Sequence, residues 1–131
     1  MTNLFDQQKR NLTNTRLFIA GFVLLLVLLG LGADGHTASL FPDASTLDEH
    51  ERLAVAAAPG LEPFVERVTM TIPALESGAH VVFLAVGEKK ADAVRRAFAT
   101  APSTSTPASL VRSREGRTTV ILDAAAASLL P

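Results

Sequence analysis

Phe22-Val23-Leu24-Leu25-Leu26-Val27-Leu28-Leu29-Gly30-Leu31-Gly32-Ala33-Asp34-Gly35-His36-Thr37-Ala38-Ser39-Leu40-Phe41-Pro42 is the stretch whose reading decides the fold. An unbroken apolar run, Phe22 to Leu29, passes directly into a loop rich in glycine. Glycine accepts dihedrals that side chains forbid and lets backbone approach a ligand closely. Asp34 and His36 in that loop are candidates for an acid/base pair, because histidine titrates near neutral pH. A continuous apolar run that stops at glycine is typical of a buried parallel strand. A membrane helix competes with that reading. Leu17 to Ala33 carries no charge over 17 residues. At ~1.5 Å per residue such a helix covers roughly 25 Å of a ~30 Å hydrocarbon core. Lys9, Arg10 and Arg16 precede it and would keep the N-terminus cytoplasmic. Length alone does not choose between strand and span, and no Ala-x-Ala site follows where a signal peptide would be cut.

Composition narrows the classes further. A length of 131 residues suits one modest domain. The formal net charge of -1 provides no basic surface for nucleic acid. Without cysteine the chain has no disulfide and no thiolate metal site, which fits a reducing compartment. His36, His50 and His80 are too scattered for a spacing-based metal site.

Beyond Asp43 the pattern alternates between strand and helix. Leu47 to Ala58 reads as a helix running into a short extended piece, broken by Pro59-Gly60. Arg67 to Ile72 alternates and is β-branched, as strands are. Pro73 opens a short helix over Ala74 to Gly78. His80 to Val86 reads as an apolar strand ended by Gly87. Glu88 to Ala99 reads as a helix with Ala91, Val94 and Phe98 on one face. Residues 101–107 read as a loop, and Thr118 to Leu122 as a strand. Asp123 is placed to cap a last helix, Ala124 to Leu130. This order predicts an α/β protein with a parallel or mixed sheet and helices on its faces.

Gly30, Gly32 and Gly35 satisfy the G-x-G-x-x-G dinucleotide pattern. That pattern needs a sizeable helix after the last glycine. Pro42 follows Gly35 by only seven residues, which disfavours a nicotinamide or flavin cofactor. The longer string is more specific. Gly32-x-Asp34-Gly35-His36-Thr37-Ala38-Ser39-Leu40-Phe41-Pro42 closely resembles the signature loop of the 6-phosphogluconolactonase family. The resemblance continues through Arg67 to Leu75, His80 to Ala93, Pro107 to Leu110, and Val120 to Ala127. The related glucosamine-6-phosphate deaminases carry Asn-Glu-Pro after the loop, where this chain has Leu40-Phe41-Pro42. The family's N-terminal half, with its Ser-Gly-Gly-Ser loop and Asp-Glu-Arg motif, has no counterpart here.

The resemblance implies an open three-layer Rossmann-like half-domain over residues 30–131. A polar, then apolar and unrelated segment over 1–29 precedes it. It implies hydrolysis of 6-phospho-D-glucono-1,5-lactone to 6-phosphogluconate in the pentose phosphate pathway. No cofactor and no metal is implied. His36 is the candidate base, and Asp34 either orients its imidazole or simply forms a turn. Gly32 and Gly35 are candidates for contact with substrate. Arg67 offers a planar fork for phosphate. Lys90 stands in the first turn after Gly87, where a helix end favours an anion. Surface charge is the alternative for both cations, and Arg95 and Arg96 read as the outer helix face. Such an enzyme would be cytoplasmic. The alternative is a catalytically incomplete fragment anchored in the inner membrane through residues 17–33. A half-sheet would also expose an edge and an apolar face, which favours self-association.

Overall fold

The computed structural model describes residues 13–14, 26–60, 62 and 64–131. Its centre is a three-stranded parallel sheet of β1 (Leu26–Gly30), β4 (His80–Ala85) and β5 (Arg117–Leu122), in the order β1-β4-β5. Leu26 pairs with His80 and Gly30 with Leu84; His80 pairs with Arg117 and Ala85 with Leu122. A second, two-stranded sheet joins β2 (Ala54–Ala57) and β3 (Arg67–Met70) antiparallel.

The strand reading therefore holds where the apolar run is described. Leu26–Gly30 is hydrogen-bonded to a neighbouring strand, so a helical span over 17–33 is overturned at those residues; Leu17 to Leu25 lies outside the described part. No helix among the described residues is long and apolar enough to cross a membrane. β1 also straddles the boundary expected at residues 29 and 30.

Side chains alternate across a strand. Val27, Leu29, Val81, Phe83 and Ala85 accordingly enter one core. Helix α2 (Ala91–Phe98) covers that face and buries Ala91, Ala93, Val94 and Ala97. Phe98 meets Phe83 edge-on, with ring centroids 5.1 Å apart. The face expected of Ala91, Val94 and Phe98 is the packed one. On the other side, among the described residues, Leu26, Leu28, Leu84 and Ile121 stay exposed while Val82 is buried.

The remaining elements are shorter than the sequence pattern suggests. Ser45–Asp48 is a 3-10 turn where a helix is expected from Leu47, and the extended piece expected before Pro59 is β2. Helix α1 (Ile72–Glu76) starts one residue before Pro73 and ends before the expected Gly78; Thr71 caps it, its side chain accepting from the Ala74 amide. Glu88–Lys90 is a 3-10 turn that leads into α2. Residues 124–129 form successive turns and no α-helix, although Asp123 caps them by accepting from the Ala126 amide at 2.8 Å. Alanine favours helix, but a turn or two gains too few backbone hydrogen bonds to hold a regular one.

The packing predicts that Phe83→Ala lowers stability by about 3–5 kcal/mol, whereas Leu28→Ala changes it by less than ~0.5 kcal/mol. Urea unfolding followed by circular dichroism would separate the two.

Candidate active site

β1 delivers the chain to the C-terminal edge of the sheet, where ligands of open α/β folds bind. There it turns irregularly, as the density of glycine predicts. The Gly32 amide donates to the His36 carbonyl at 2.8 Å, and the Gly35 amide to the Gly32 carbonyl at 3.0 Å. These bonds close a tight loop around Asp34. A Cβ on Gly32 would stand 2.1 Å from His36 Nδ1 and 2.4 Å from Asp34 Oδ1, so no larger residue fits. Gly35 has φ 97°, and a Cβ there would press on Thr106 and the Arg96 guanidinium.

Inside the loop, His36 Nδ1 and Asp34 Oδ1 are 2.6 Å apart. The His36 amide donates to the same oxygen at 3.1 Å. An ionised carboxylate only accepts, so in the neutral imidazole Nδ1 carries the proton and Nε2 the lone pair. Partial burial works against the charge on Asp34. The amide and ring of His36 more than offset it and hold its pKa below the ordinary 3.8. The loop thus orients a histidine and leaves one ring nitrogen to take up a proton.

Phe41 packs against this histidine, with centroids 5.3 Å apart. Arg67 lies over the same phenyl ring, its guanidinium carbon 5.7 Å from the centroid. Arg67 therefore reaches the His36 loop from the antiparallel β2–β3 pair and not from the parallel sheet. A strand's neighbours are set by tertiary pairing, which alternation cannot reveal. Lys90 lies in the turn after β4, and among the described residues no hydrogen bond links it to the loop. Gly87, at the start of that turn, donates its amide to both oxygens of Asp123 at 3.0 Å. A cleft of about 390 Å³ opens beside Asp34 and Phe41, walled by Pro42, Thr46 and residues 57–60.

Thr37 is buried and donates its hydroxyl to the Gly30 carbonyl at 2.9 Å, and the Ser39 amide is bonded to Thr69. Thr37 thus holds the loop from below. The amides of Gly32, Gly35 and His36 are all occupied within the loop. Arg96 is the residue the sequence reading misplaced. It does not point outward but donates to the carbonyls of Ala33 at 3.2 Å and Asp34 at 3.3 Å. Helical periodicity puts Arg96 beside Asp92, and no local signal shows a loop 60 residues earlier coming within its reach. Of the other histidines, His80 bonds Thr119 and His50 is exposed. Among the described residues no three His, Asp or Glu side chains gather to hold a metal ion.

The family described as "Glucosamine-6-phosphate isomerases/6-phosphogluconolactonase" matches residues 11–120, starting inside the segment expected to be unrelated. A human 6-phosphogluconolactonase is 41% identical over 105 residues, 80% of this chain and 41% of its own length. One from Streptomyces coelicolor is 42% identical, over 81% of this chain and 40% of the relative. The solved 6-phosphogluconolactonase of Trypanosoma brucei superposes with a TM-score of 0.72 at 33% identity, covering 81% of this chain and 42% of the other. The chain spans about two fifths of the length of the curated relatives it matches.

The Asp34 geometry has a pH consequence. A carboxylate whose folded pKa is depressed stabilises the fold fully above its ordinary pKa. That contribution is lost as pH falls through the folded value. Asp34, Asp92 and Asp123 all sit below 3.8, and Glu49 is lowered to about 2. Stability should fall between pH ~5 and ~2. Asp34→Asn should make that fall shallower in acid titrations followed by circular dichroism.

Proposed function

Because the chain belongs to the glucosamine-6-phosphate isomerase/6-phosphogluconolactonase family, we propose that its site hydrolyses 6-phosphogluconolactone to 6-phosphogluconate. The observation that carries this reading is the 2.6 Å His36–Asp34 pair, set in a glycine loop at the end of a parallel strand. Lactone hydrolysis needs a base for water and a donor for the departing ring oxygen. His36 Nε2 takes the proton as the water oxygen bonds to the carbonyl carbon. When the bond from that carbon to the ring oxygen breaks, the same nitrogen returns the proton to it. The products are a carboxylic acid and a hydroxyl. Asp34 keeps the imidazole in the required tautomer and stabilises it while charged.

Arg67 presents its fork next to Phe41 and is the candidate for the substrate's phosphate. Lys90 would join it from the turn after β4. Gly32 and Gly35 act by letting the loop close, since their amides already have partners. The cleft beside Asp34 has the size of a small-molecule site.

A second reading is favoured by coverage. That reading, an incomplete catalytic unit, is supported by residues 1–131 spanning about two fifths of the relatives' length. Poor positioning then removes much of the several kcal/mol that orientation can contribute.

Lactone hydrolysis by the chain should be slow and should fall to the spontaneous rate in His36→Ala. A rate above background that survives His36→Ala would overturn the mechanism. Binding of 6-phosphogluconate, followed by NMR shifts of His36 and Arg67, should weaken by roughly tenfold in Arg67→Ala, the loss of one charge-assisted contact. Unchanged binding would remove Arg67 from the phosphate site.

A further inference from the structure

We propose that Arg96 is a positioning residue that sets the orientation of the His36 imidazole through the backbone of the loop. The inference rests on the functional reading of His36 given above, but the geometry behind it does not. Arg96 projects from the second turn of α2 across to the loop after β1. Its Nη2 donates to the Ala33 carbonyl at 3.2 Å and its Nη1 to the Asp34 carbonyl at 3.3 Å. Nη1 also donates to Thr106 Oγ1 at 2.7 Å, and Nε pairs with Asp92 at 2.8 Å. One guanidinium therefore ties together a helix, the segment before Pro107, and two successive peptides of the catalytic loop.

Those two peptides flank the Asp34 side chain, which in turn holds His36 Nδ1. The chain of control runs from Asp92 through Arg96 to the Asp34 backbone and on to the imidazole. Gly35 provides the room for it. A Cβ there would lie 3.2 Å from Arg96 Nη1 and 2.9 Å from Thr106 Cγ2. Only a planar fork with several donors in fixed directions satisfies two carbonyls and a hydroxyl at once. Lysine could supply charge at the same position but not this geometry. Arg96 is itself mostly covered, with 28% of its side chain accessible. It does not touch the imidazole, and its effect must pass through the loop.

The test uses the full chain with 15N-labelled histidine, and compares Arg96→Gln, Arg96→Lys and Thr106→Val with the parent. In the parent at pH above the imidazole titration, the two ring nitrogens of His36 should give widely separated signals, reporting one tautomer held by Asp34. In Arg96→Gln that separation should fall by more than half, while the contact between Phe83 and Phe98 persists. Arg96→Lys should fail to restore it, and Thr106→Val should give a smaller change of the same sign. If Arg96→Gln does not fold, Arg96→Lys carries the test by the same signals. A His36 ring unchanged in whichever of the two folds overturns the proposal, as does unfolding of both. Where the chain's His36-dependent hydrolysis is measurable, Arg96→Gln should lower kcat by up to ~100-fold with KM within about twofold, the signature of a misplaced base. A rate that does not depend on His36 would sink the functional reading and leave the ring signals to decide Arg96.

Discussion

Parallel pairing of β1 and β5 on the two edges of β4 is the constraint from which the rest follows. A parallel pair brings its strands out at the same end of the sheet. The loop after β1 carries Asp34 and His36. The turn after β4 carries Gly87 and Lys90, and the segment after β5 begins with Asp123. Pairing Gly30 with Leu84 and Ala85 with Leu122 sets these exits level. Asp123 accepts from the Gly87 amide, so two of the three exits are tied directly to each other.

Within this frame the loop after β1 is held by short polar contacts. Its amides turn inward and bond to its own carbonyls and to Asp34. Thr37 anchors it to the end of β1, the Ala108 amide donates to Gly35, and Arg96 fastens its outer carbonyls. Buried backbone groups without partners are costly, so a loop this rich in glycine is ordered only where its neighbours satisfy it. The same contacts leave Nε2 as the ring nitrogen available for chemistry.

The sheet is protected unevenly. α2 and its alanines seal one face, while Leu28 is 65% exposed and Val86 61% exposed on or beside the other. The apolar run before Gly30 reads as a strand buried on both faces; at its described residues Val27 and Leu29 are buried and Leu26 and Leu28 exposed.

Much of the site was legible in the residues themselves. The glycine spacing and Pro42 predicted an irregular loop, and Asp34 two residues before His36 predicted a pair, because both depend on backbone geometry over a few residues. The apolar alternation of α2 predicted its packed face for the same reason. The strand at Leu26–Gly30 was legible as one of two readings, since an apolar run has the same composition in a sheet and in a membrane. What the sequence could not contain was the pairing between distant segments. Arg67 belongs to an antiparallel ribbon and reaches the site over Phe41; Arg96 leaves the helix surface to hold the loop. The residues following Asp123 form turns where alanine content favoured a helix. Local propensity determines which conformations a segment accepts, but the partners that satisfy its charges and carbonyls are assigned only when the chain closes on itself.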